Sequence, residues 1–291
     1  MKIIITGNLG FIGCHLQKKL ESLGHDIKGY DIKNNFIEDI RNETYLESVF
    51  NSFRPDKVIH LAARAMVRQS ADAPHEYTST NIDGTYNLLR LANKYGVKRF
   101  LSASSSSVYG ETPDVLLRED MSCENFKSIY AITKKASEHL CQMMAGKMKV
   151  FVFRPFPVYG ENSRSDMAIG KLLNIVKNNG EFHKYGKGDS VRGYTNVHDL
   201  VDGIVKLMEF ETDKNFDIFN LGGSEKISLN KLLEIVKDVC PNLKIVQEKE
   251  NPYDVFSSCA DIRKAEKILN WKPTRIFEDE IKKLFICQTQ V

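Results

Sequence analysis

The sequence lacks a long hydrophobic run. No stretch approaches the roughly 20 consecutive apolar residues with which a helix crosses a bilayer. The apolar N-terminus, MKIIITGNLGFIG, is interrupted by glycines and is too short for the hydrophobic region of a secretion signal. We therefore predict that the chain is neither inserted into a membrane nor exported.

Closely spaced cysteines are also missing. The six cysteines are Cys14, Cys123, Cys141, Cys240, Cys259 and Cys287. They form no Cys-x-x-Cys pair and have no paired histidines beside them, which disfavours a zinc site and a disulfide framework in a chain this long. We expect no metal, and reduced cysteines that pack inside a cytoplasmic protein.

Neither sign of charge dominates. The chain has 41 Lys plus Arg against 38 Asp plus Glu, a net charge of +3, and the two signs interleave. Without a basic stripe, neither nucleic acid nor an anionic membrane is expected as a partner. The 291 residues, 42% hydrophobic and 27% charged, have the composition of a soluble globular protein with ample length for a core.

Short apolar runs alternate with helical periods as far as Pro155. KIIIT precedes FIGCHLQKKLESLG, and KVIH precedes EYTSTNIDGTYNLLRLANKYG. Continuous apolar strands that are each followed by a helix indicate a parallel sheet covered on both faces. The fold class is therefore α/β, and we expect a Rossmann-type doubly wound sheet. Beyond Pro155 the pattern loosens, and we expect fewer strands and a smaller C-terminal α/β region.

Three glycines, Gly7, Gly10 and Gly13, stand between the first strand and the first helix, with Phe11 and Ile12 opening that helix. Glycine is also the default turn residue, so the spacing alone is weak evidence. In this context, however, glycines permit a tight turn, and the helix N-terminus offers free N–H groups to a pyrophosphate. We interpret the stretch as a dinucleotide-binding loop, with a purely structural turn as the alternative.

Asp31 ends the second strand, 31 − 13 = 18 positions after Gly13. This is close to the roughly 20 positions expected for an acid that binds a ribose 2′-hydroxyl. A carboxylate there would repel a 2′-phosphate, which favours NAD over NADP. Asp39 and Ile40 either flank the adenine, or Asp39 caps the next helix; the sequence leaves both open.

Two further candidate segments follow the third and fourth strands. Leu61, Ala62 and Ala63 follow the third strand, and the fourth ends in LSASSSSVYG. The carboxyl ends of parallel strands form the crevice in which such sheets bind ligands. Tyr130 and Lys134 come on the next helix, on one face because four residues separate them. The glycine loop, the strand ends and this helix are therefore expected to converge.

The order of the motifs resembles a known family. TGNLGFIG, HLAA, Asn81 in TNIDGTYNLL, SSSSVYG, YAITKK and RPFPVYG are similar to the extended short-chain dehydrogenase/reductases, the nucleotide-sugar epimerases and dehydratases. The similarity runs from Met1 to ADIRKAEKILNWKP, nearly the whole chain. HLAARAMVRQS and VYGENSRSDMAIGKLL particularly resemble UDP-glucuronate 4-epimerases.

The resemblance implies roles for individual residues. Ser105, four positions before Tyr109, matches the catalytic Ser/Thr, and Tyr130 and Lys134 match the acid/base tyrosine and its lysine. A phenol with an ordinary pKa near ~10 is a poor base at neutral pH, but a neighbouring ammonium and a cationic nicotinamide both favour the phenolate. Lys134 would also hold the nicotinamide ribose, and Asn81 would belong to the coenzyme site.

The residues after Ser105 discriminate between reactions. Dehydratases of the family carry Asp-Glu immediately after the catalytic residue, and decarboxylases carry Glu two residues after it, whereas this chain has Ser106 and Ser107. Our hypothesis is C4 epimerisation of a UDP-sugar such as UDP-glucuronate or UDP-glucose: oxidation at C4 by tightly bound NAD, rotation of the 4-keto sugar and re-reduction. An NAD(P)H-dependent nucleotide-4-ketosugar reductase and a catalytically silent dinucleotide sensor or scaffold remain alternatives.

Substrate contacts are also implied by the resemblance. Arg192 matches an arginine that contacts the diphosphate, Arg164 matches a substrate-loop arginine, and Ser106 lies beside the sugar. Two positions depart from the family pattern. Pro157 replaces a polar residue, and Asn251 stands where many members have a second diphosphate-binding arginine.

We expect an NAD-binding Rossmann domain at residues 1–157 plus about 195–221, and a substrate-binding domain at 158–194 plus about 222–291. The family dimer, in which two helices of each subunit form a four-helix bundle, implies a homodimer here. His60 is interpreted as a structural residue beside the coenzyme, since Tyr130 already carries protons. His183, His198 and Trp271 are interpreted as packing or surface residues.

Overall fold

The computed structural model describes residues 1–249 and 255–289. Its strands are β1 (Lys2–Thr6), β2 (Asp26–Tyr30), β3 (Lys57–His60), β4 (Arg99–Ala103), β5 (Leu116–Leu117), β6 (Lys149–Pro155), β7 (Val158–Tyr159), β8 (Glu181–Tyr185), β9 (Val191–Arg192), β10 (Thr195–Asn196), β11 (Phe216–Leu221), β12 (Ile227–Ser228), β13 (Lys244–Glu248) and β14 (Ser257–Ala260). Six of them form a parallel sheet in the order β2-β1-β3-β4-β6-β11.

Helices cover both faces of this sheet. They are α1 (Phe11–Ser22), α2 (Glu43–Phe53), α3 (Pro74–Thr78), α4 (Gly84–Lys94), α5 (Ile129–Met144), α6 (Ala168–Lys177), α7 (Val197–Glu209), α8 (Leu229–Val239), α9 (Arg263–Leu269) and α10 (Phe277–Thr289). Short 3₁₀ turns occupy Arg68–Ser70 and Ser106–Tyr109, and a π-helical turn, Ser79–Asp83, joins α3 to α4.

The apolar runs of the sequence explain why the sheet is buried on two sides. Ile3, Ile4 and Ile5 of β1 have no exposed surface. Ile3 and Ile5 join a core with α1, α7 and α9, whereas Ile4 joins a second core with α2, α4 and α5. The predicted α/β class and the Rossmann-type doubly wound parallel sheet are confirmed.

The strand order places the ligand crevice. β1 lies between β2 and β3, so the connections leaving β1 and β2 run to opposite sides of the sheet. Such a switch point opens a crevice at the carboxyl ends of the strands. Thr6 at the end of β1, His60 at the end of β3 and Ala103 at the end of β4 therefore mark the edge at which the site residues meet.

The expectation of fewer strands beyond Pro155 is wrong. Eight strands, β7 to β14, follow this residue in the described chain. Four of these eight strands have only two residues. The small sheets of this region include β12-β9-β14-β5 and β13-β8. A two-residue bridge contains too few positions for an apolar run, so the sequence pattern gave no sign of it. A third core, which includes Tyr159, Leu232 and Phe285, underlies this region.

All six cysteines lie in the described chain and none forms a disulfide. Cys123, Cys141, Cys240 and Cys259 are buried packing residues as expected, but Cys287 is exposed because it lies on the outer face of α10. Within residues 1–249 and 255–289, no helix combines the length and the apolarity needed to cross a membrane. No group of three metal-ligating side chains occurs in the same described residues.

Candidate coenzyme and catalytic site

The glycine loop turns sharply between β1 and α1. Gly7 has φ +74°, and a Cβ there would lie 2.7 Å from the Ala62 nitrogen. A Cβ on Gly13 would lie 2.1 Å from the Gly7 oxygen. Gly10 is the N-cap of α1, and within the described residues no side chain caps this end and no acid lies in its first turn. The N–H groups of Phe11 and its neighbours therefore stay available to an anion.

Asp31 lies beside this loop. Its carboxylate accepts hydrogen bonds from the backbone nitrogens of Leu9, at 3.0 Å, and Lys33, at 2.9 Å. The residue is only 8% exposed, so its orientation is fixed by the backbone around it. The sequence prediction that Asp31 and the glycine loop are neighbours agrees with this geometry, because the Leu9 nitrogen belongs to the loop itself.

The interpretation of Asp39 as a helix cap is wrong. Asn42 is the N-cap of α2, where its side chain accepts from the Tyr45 nitrogen. The Asp39 carboxylate instead accepts from the Arg41 side chain, and despite partial burial this hydrogen bond lowers its pKa. Ile40 is 3% exposed, so its side chain belongs to the core.

Leu61, Ala62 and Ala63 continue β3 along the same edge. The Leu61 nitrogen donates to the Thr6 oxygen at 3.0 Å, and the Ala62 nitrogen contacts Thr6 Oγ1 at 3.3 Å. Asn81, in the π-helical turn, is buried and donates to the Arg64 oxygen at 3.0 Å and to an α5 threonine. Asn81 thus joins the loop after β3 to the helix that carries Tyr130.

Ser105 and Tyr130 meet in the structure. α5 starts at its N-cap Ser128, which places Tyr130 in the first turn with only 7% of its surface exposed. The Ser105 side chain lies close enough to the Tyr130 phenol to act on its pKa, which it lowers. Ser105 Oγ also accepts from the Ser107 nitrogen at 3.1 Å and donates to Ser107 Oγ at 3.2 Å. The pair predicted from separate motifs therefore forms one cluster.

Lys134 lies one helical turn after Tyr130. Its Nζ donates to the Ala103 oxygen at 2.7 Å, at the end of β4. Burial lowers the pKa of the Lys134 ammonium to about 8. The lysine is therefore anchored to the strand whose loop carries Ser105 and Ser106.

The pKa of Tyr130 moves in the opposite direction from the one expected. Burial raises the pKa of the phenol, and the Ser105 side chain and the positive charge of Arg164 offset only part of that effect. Loss of water around the phenol outweighs the attraction of nearby cations, because a phenolate needs more solvation than a phenol. The expectation from the sequence included the effect of the Lys134 ammonium but not the loss of water around the Tyr130 phenol.

Of the two predicted substrate arginines, one is close to the catalytic group. The Arg164 charge acts on Tyr130 and Tyr77, and its guanidinium donates to Asp166, at 2.6 Å, and to the Ala65 oxygen, at 3.2 Å. Asp166 therefore fixes the orientation of the Arg164 guanidinium. Sequence reasoning missed Asp166, although its distance of two residues from Arg164 was visible.

Arg192 lies on β9 in the small four-stranded sheet. Its Nη1 donates to the Val191 oxygen at 2.8 Å and to the Phe256 oxygen at 3.3 Å. It therefore belongs to the C-terminal region rather than to the Ser105–Tyr130 cluster. Pro157 accepts a backbone hydrogen bond from the Thr195 nitrogen at 2.8 Å, and Asn251 lies outside the described residues.

His60 has the structural environment predicted for it. Nδ1 lies 2.7 Å from Thr6 Oγ1 and Nε2 lies 3.0 Å from Thr85 Oγ1, and burial lowers the pKa of the ring to about 3. A neutral ring with both nitrogens hydrogen-bonded is a structural element. The packing role of Trp271 is also confirmed, since it is 3% exposed and donates to the Asp199 oxygen.

His183 and His198 differ in their surroundings. His183 pairs with Glu248 across β8 and β13 at 2.8 Å with its side chain 44% exposed, which confirms a surface position. His198 packs edge-on against His15, with the ring centroids 5.1 Å apart.

Sequence reasoning missed a buried ion pair beside the site. Glu138, one turn after Lys134, accepts from Arg154 Nε and Nη2, both at 2.7 Å, and from Ser104 Oγ at 2.7 Å. The signal was present, because residues spaced by four lie on one helix face and Tyr130, Lys134 and Glu138 have that spacing. The Ser104 nitrogen also donates to the Phe153 oxygen at 2.8 Å.

Comparisons with known proteins agree over almost the whole chain. A model described as the NAD dependent epimerase/dehydratase family matches residues 3–222. The chain belongs to this family. A UDP-glucuronate 4-epimerase of Thermodesulfobacterium geofontis is 33% identical over 309 residues, covering 96% of this chain and 94% of that relative.

Two solved epimerases have the same fold. The UDP-glucose 4-epimerase of Thermotoga maritima, solved with UDP-glucose, matches with a TM-score of 0.92 and 29% identity, over 100% of this chain and 99% of that one. The UDP-glucuronic acid 4-epimerase of Bacillus cereus, solved with UDP-glucuronic acid and NAD, matches with a TM-score of 0.88 and 29% identity over the same shares. The family resemblance predicted from the motifs is confirmed.

Proposed function

We propose that this member of the epimerase/dehydratase family is an NAD-dependent nucleotide-sugar 4-epimerase, acting on a UDP-sugar such as UDP-glucuronate or UDP-glucose. One observation carries the proposal: Ser105 and Tyr130 lie together at the edge of the sheet where the glycine loop turns, with Lys134 anchored beside them. The activities of the relatives from Thermodesulfobacterium geofontis, Thermotoga maritima and Bacillus cereus support the same reaction class.

The residues present fit NAD. A Cβ on Gly7 or Gly13 would collide with backbone atoms, so these glycines permit the tight turn that such a loop makes around a pyrophosphate. The uncapped start of α1 offers N–H groups to its charge. Asp31 offers a fixed carboxylate to a ribose diol and repels a 2′-phosphate. We propose the same coenzyme site for Ile12, Asp39, Ile40, Leu61, Ala62, Ala63 and Asn81.

The protein's part in the reaction is positioning and proton transfer. NAD, when bound, supplies the hydride acceptor and donor for C4 of the sugar. Tyr130 takes the proton of the 4-hydroxyl through its phenol oxygen and later returns it, and Ser105 Oγ hydrogen-bonds the same reacting oxygen. With Ser106 and Ser107 following, no carboxylate is placed beside Ser105 for elimination. Arg164 and Arg192 would bind anionic groups of the substrate.

The assembly and location are also proposed. Exposed apolar side chains lie on the two helices of the expected four-helix bundle: Tyr86 on α4 is 44% exposed, and Ile132 and Met143 on α5 are 49% and 80% exposed. A second copy of the chain would cover them, so we propose a homodimer. We also propose a cytoplasmic location and the two-domain division at 1–157 plus 195–221 and 158–194 plus 222–291.

The decisive experiment is conversion without reductant. Purified protein is incubated with UDP-glucuronate and with UDP-glucose, without added NADH or NADPH, and the products are separated by chromatography. We expect the C4 epimer of at least one substrate and NAD that copurifies with the protein. Failure to convert any UDP-, dTDP-, GDP- or CDP-sugar with NAD present would refute the proposal, and turnover that depends on stoichiometric NAD(P)H would favour the reductase.

A further inference from the structure

Helix α5 contacts three consecutive residues at the end of β4. Lys134 Nζ donates to the Ala103 oxygen at 2.7 Å. Ser104 Oγ donates to Glu138 Oε1 at 2.7 Å, and the Ser105 side chain interacts with Tyr130. Each of these three consecutive residues thus contacts a different side chain on one face of α5.

Glu138 is itself held from a third element. Arg154 on β6 donates to both of its carboxylate oxygens at 2.7 Å, and the two side chains are 1% and 2% exposed. The Ser104 nitrogen donates to the Phe153 oxygen at 2.8 Å, so the backbone of Ser104 is tied to β6 as well. Side chain and backbone of Ser104 are therefore both fixed.

Arg154 cannot move freely within this arrangement. Its guanidinium lies over the Tyr109 ring, 4.8 Å from the centroid, at the far end of the 3₁₀ turn that follows Ser105. Tyr109 Oη donates to Asn220 Oδ1 at 2.8 Å on β11. The segment between Ser104 and Tyr109 is thus clamped at both ends by contacts that involve Arg154 or its partner Glu138.

Stability alone is a weak explanation for this ion pair. Two buried charges cost solvation energy, and well-packed apolar residues often replace such a pair without loss of stability. Geometry is a better explanation, because a displacement of about 1 Å at a reacting group can reduce turnover on the order of 100-fold. Ser104 donates to Glu138 through its hydroxyl and directly precedes Ser105 in the chain, so it connects the ion pair to Ser105.

We propose that Glu138 and Arg154, acting through Ser104, are positioning residues that hold the Ser105 hydroxyl beside the Tyr130 phenol. The inference rests on the proposed function, because Ser105 and Tyr130 are the groups that meet the sugar 4-hydroxyl. Neither Glu138 nor Arg154 touches the substrate in this scheme. Ser104 is the link that transmits their position to Ser105.

Ser104→Ala is the test variant because it removes one hydroxyl and leaves the ion pair intact. We expect kcat to fall by about 10- to 100-fold with KM changed less than about 2-fold, the range for a small misplacement of a reacting group. Ser102→Ala is the matched control. Ser102 is also buried on β4, but its hydroxyl contacts the Cys141 thiol on α5, and its kcat should stay near wild type.

A double-mutant cycle separates positioning from a general structural effect. If Ser104 acts through Ser105, the Ser104→Ala/Ser105→Ala double variant has the same kcat as Ser105→Ala alone. Independent losses that multiply would overturn the proposal, and so would a wild-type kcat for Ser104→Ala. Glu138→Gln should lower kcat as well, with partial recovery in Glu138→Asp.

A crystal structure of the Ser104→Ala variant tests the inference without any turnover. We expect the separation of Ser105 Oγ and Tyr130 Oη to be larger than in a crystal structure of the wild type. An unchanged separation would overturn the positioning role. A wild-type protein inactive on every nucleotide sugar would instead overturn the proposed function, so the two failures can be told apart.

Discussion

At the scale of single residues, burial controls the charges of the catalytic cluster. Tyr130 and Lys134 are both almost fully enclosed, and each has its neutral form favoured: burial raises the pKa of the phenol and lowers that of the ammonium. A tyrosine that must accept a proton therefore depends on cations near it. Arg164, held by Asp166, supplies one of them.

Lys134 should leave a signature in the pH dependence of folding. Its folded pKa of about 8 lies below the free value of 10.5, so between these values the unfolded chain binds a proton that the folded protein does not. Stability relative to Lys134→Met should therefore increase as pH rises from 8 to 9.5, by about 1 to 2 kcal/mol. Urea unfolding at several pH values measures this.

The control for this titration is Lys18→Met, at an exposed position on α1. This variant accounts for the general effect of removing one lysine charge from the surface. A constant difference between wild type and Lys134→Met would mean that the folded protein holds this proton as firmly as the unfolded chain does.

At the scale of elements, the sequence pattern predicted the regular ones well. The predicted β1 and β3 begin and end where the structure has them, because each is a short apolar run. One helix predicted over residues 76–96 is instead α3, a π-helical turn and α4. The helical periodicity of the sequence did not predict the single wider turn. That π-helical turn carries Asn81, and such turns are frequent at functional sites.

The glycine loop supports a prediction about coenzyme binding. Alanine at Gly13 would place its Cβ 2.1 Å from the Gly7 oxygen and 2.7 Å from Asn8 Cα, and both are backbone atoms that cannot rotate aside. The loop must shift, and we expect Gly13→Ala to bind NAD at least about 100-fold more weakly by calorimetry, given the close approach that this loop provides.

Gly146→Ala is the matched control for the loop variant, because a Cβ there meets no atom within 4 Å. It should bind NAD like the wild type, and circular dichroism should show that both variants are folded. Wild-type affinity in Gly13→Ala would contradict the assignment of the loop to the pyrophosphate.

At the scale of the whole molecule, the fold could be predicted from its long apolar strands. The site could be predicted only in part, because it also depends on contacts between individual side chains. Gly7, Asp31, Ser105, Tyr130 and Lys134 could be proposed from the sequence, because motif spacing, strand ends and the family resemblance point to them. Glu138 and Arg154 could not, because an ion pair between α5 and β6 depends on tertiary packing. The small sheets of the C-terminal region, with strands such as β9 and β12, lacked a periodic signal.

The proposed dimer is tested by mass. The chain has a mass of 33.2 kDa, and light scattering should give twice this value for the wild type. Ile132→Glu places a charge on the exposed face of α5 and should shift the protein toward the monomer. Ile276→Glu, at a 66% exposed position outside these helices, should remain dimeric. A monomeric wild type would refute the proposal.

The most direct test of the central claim is the turnover of Tyr130→Phe on the nucleotide sugar that the wild type converts. The variant keeps the ring and its packing but removes the oxygen that exchanges the proton. We predict that kcat falls by about 100- to 10,000-fold, the usual contribution of a positioned acid/base group, while NAD remains bound at wild-type affinity. Full turnover by Tyr130→Phe would contradict the assignment of this tyrosine to catalysis.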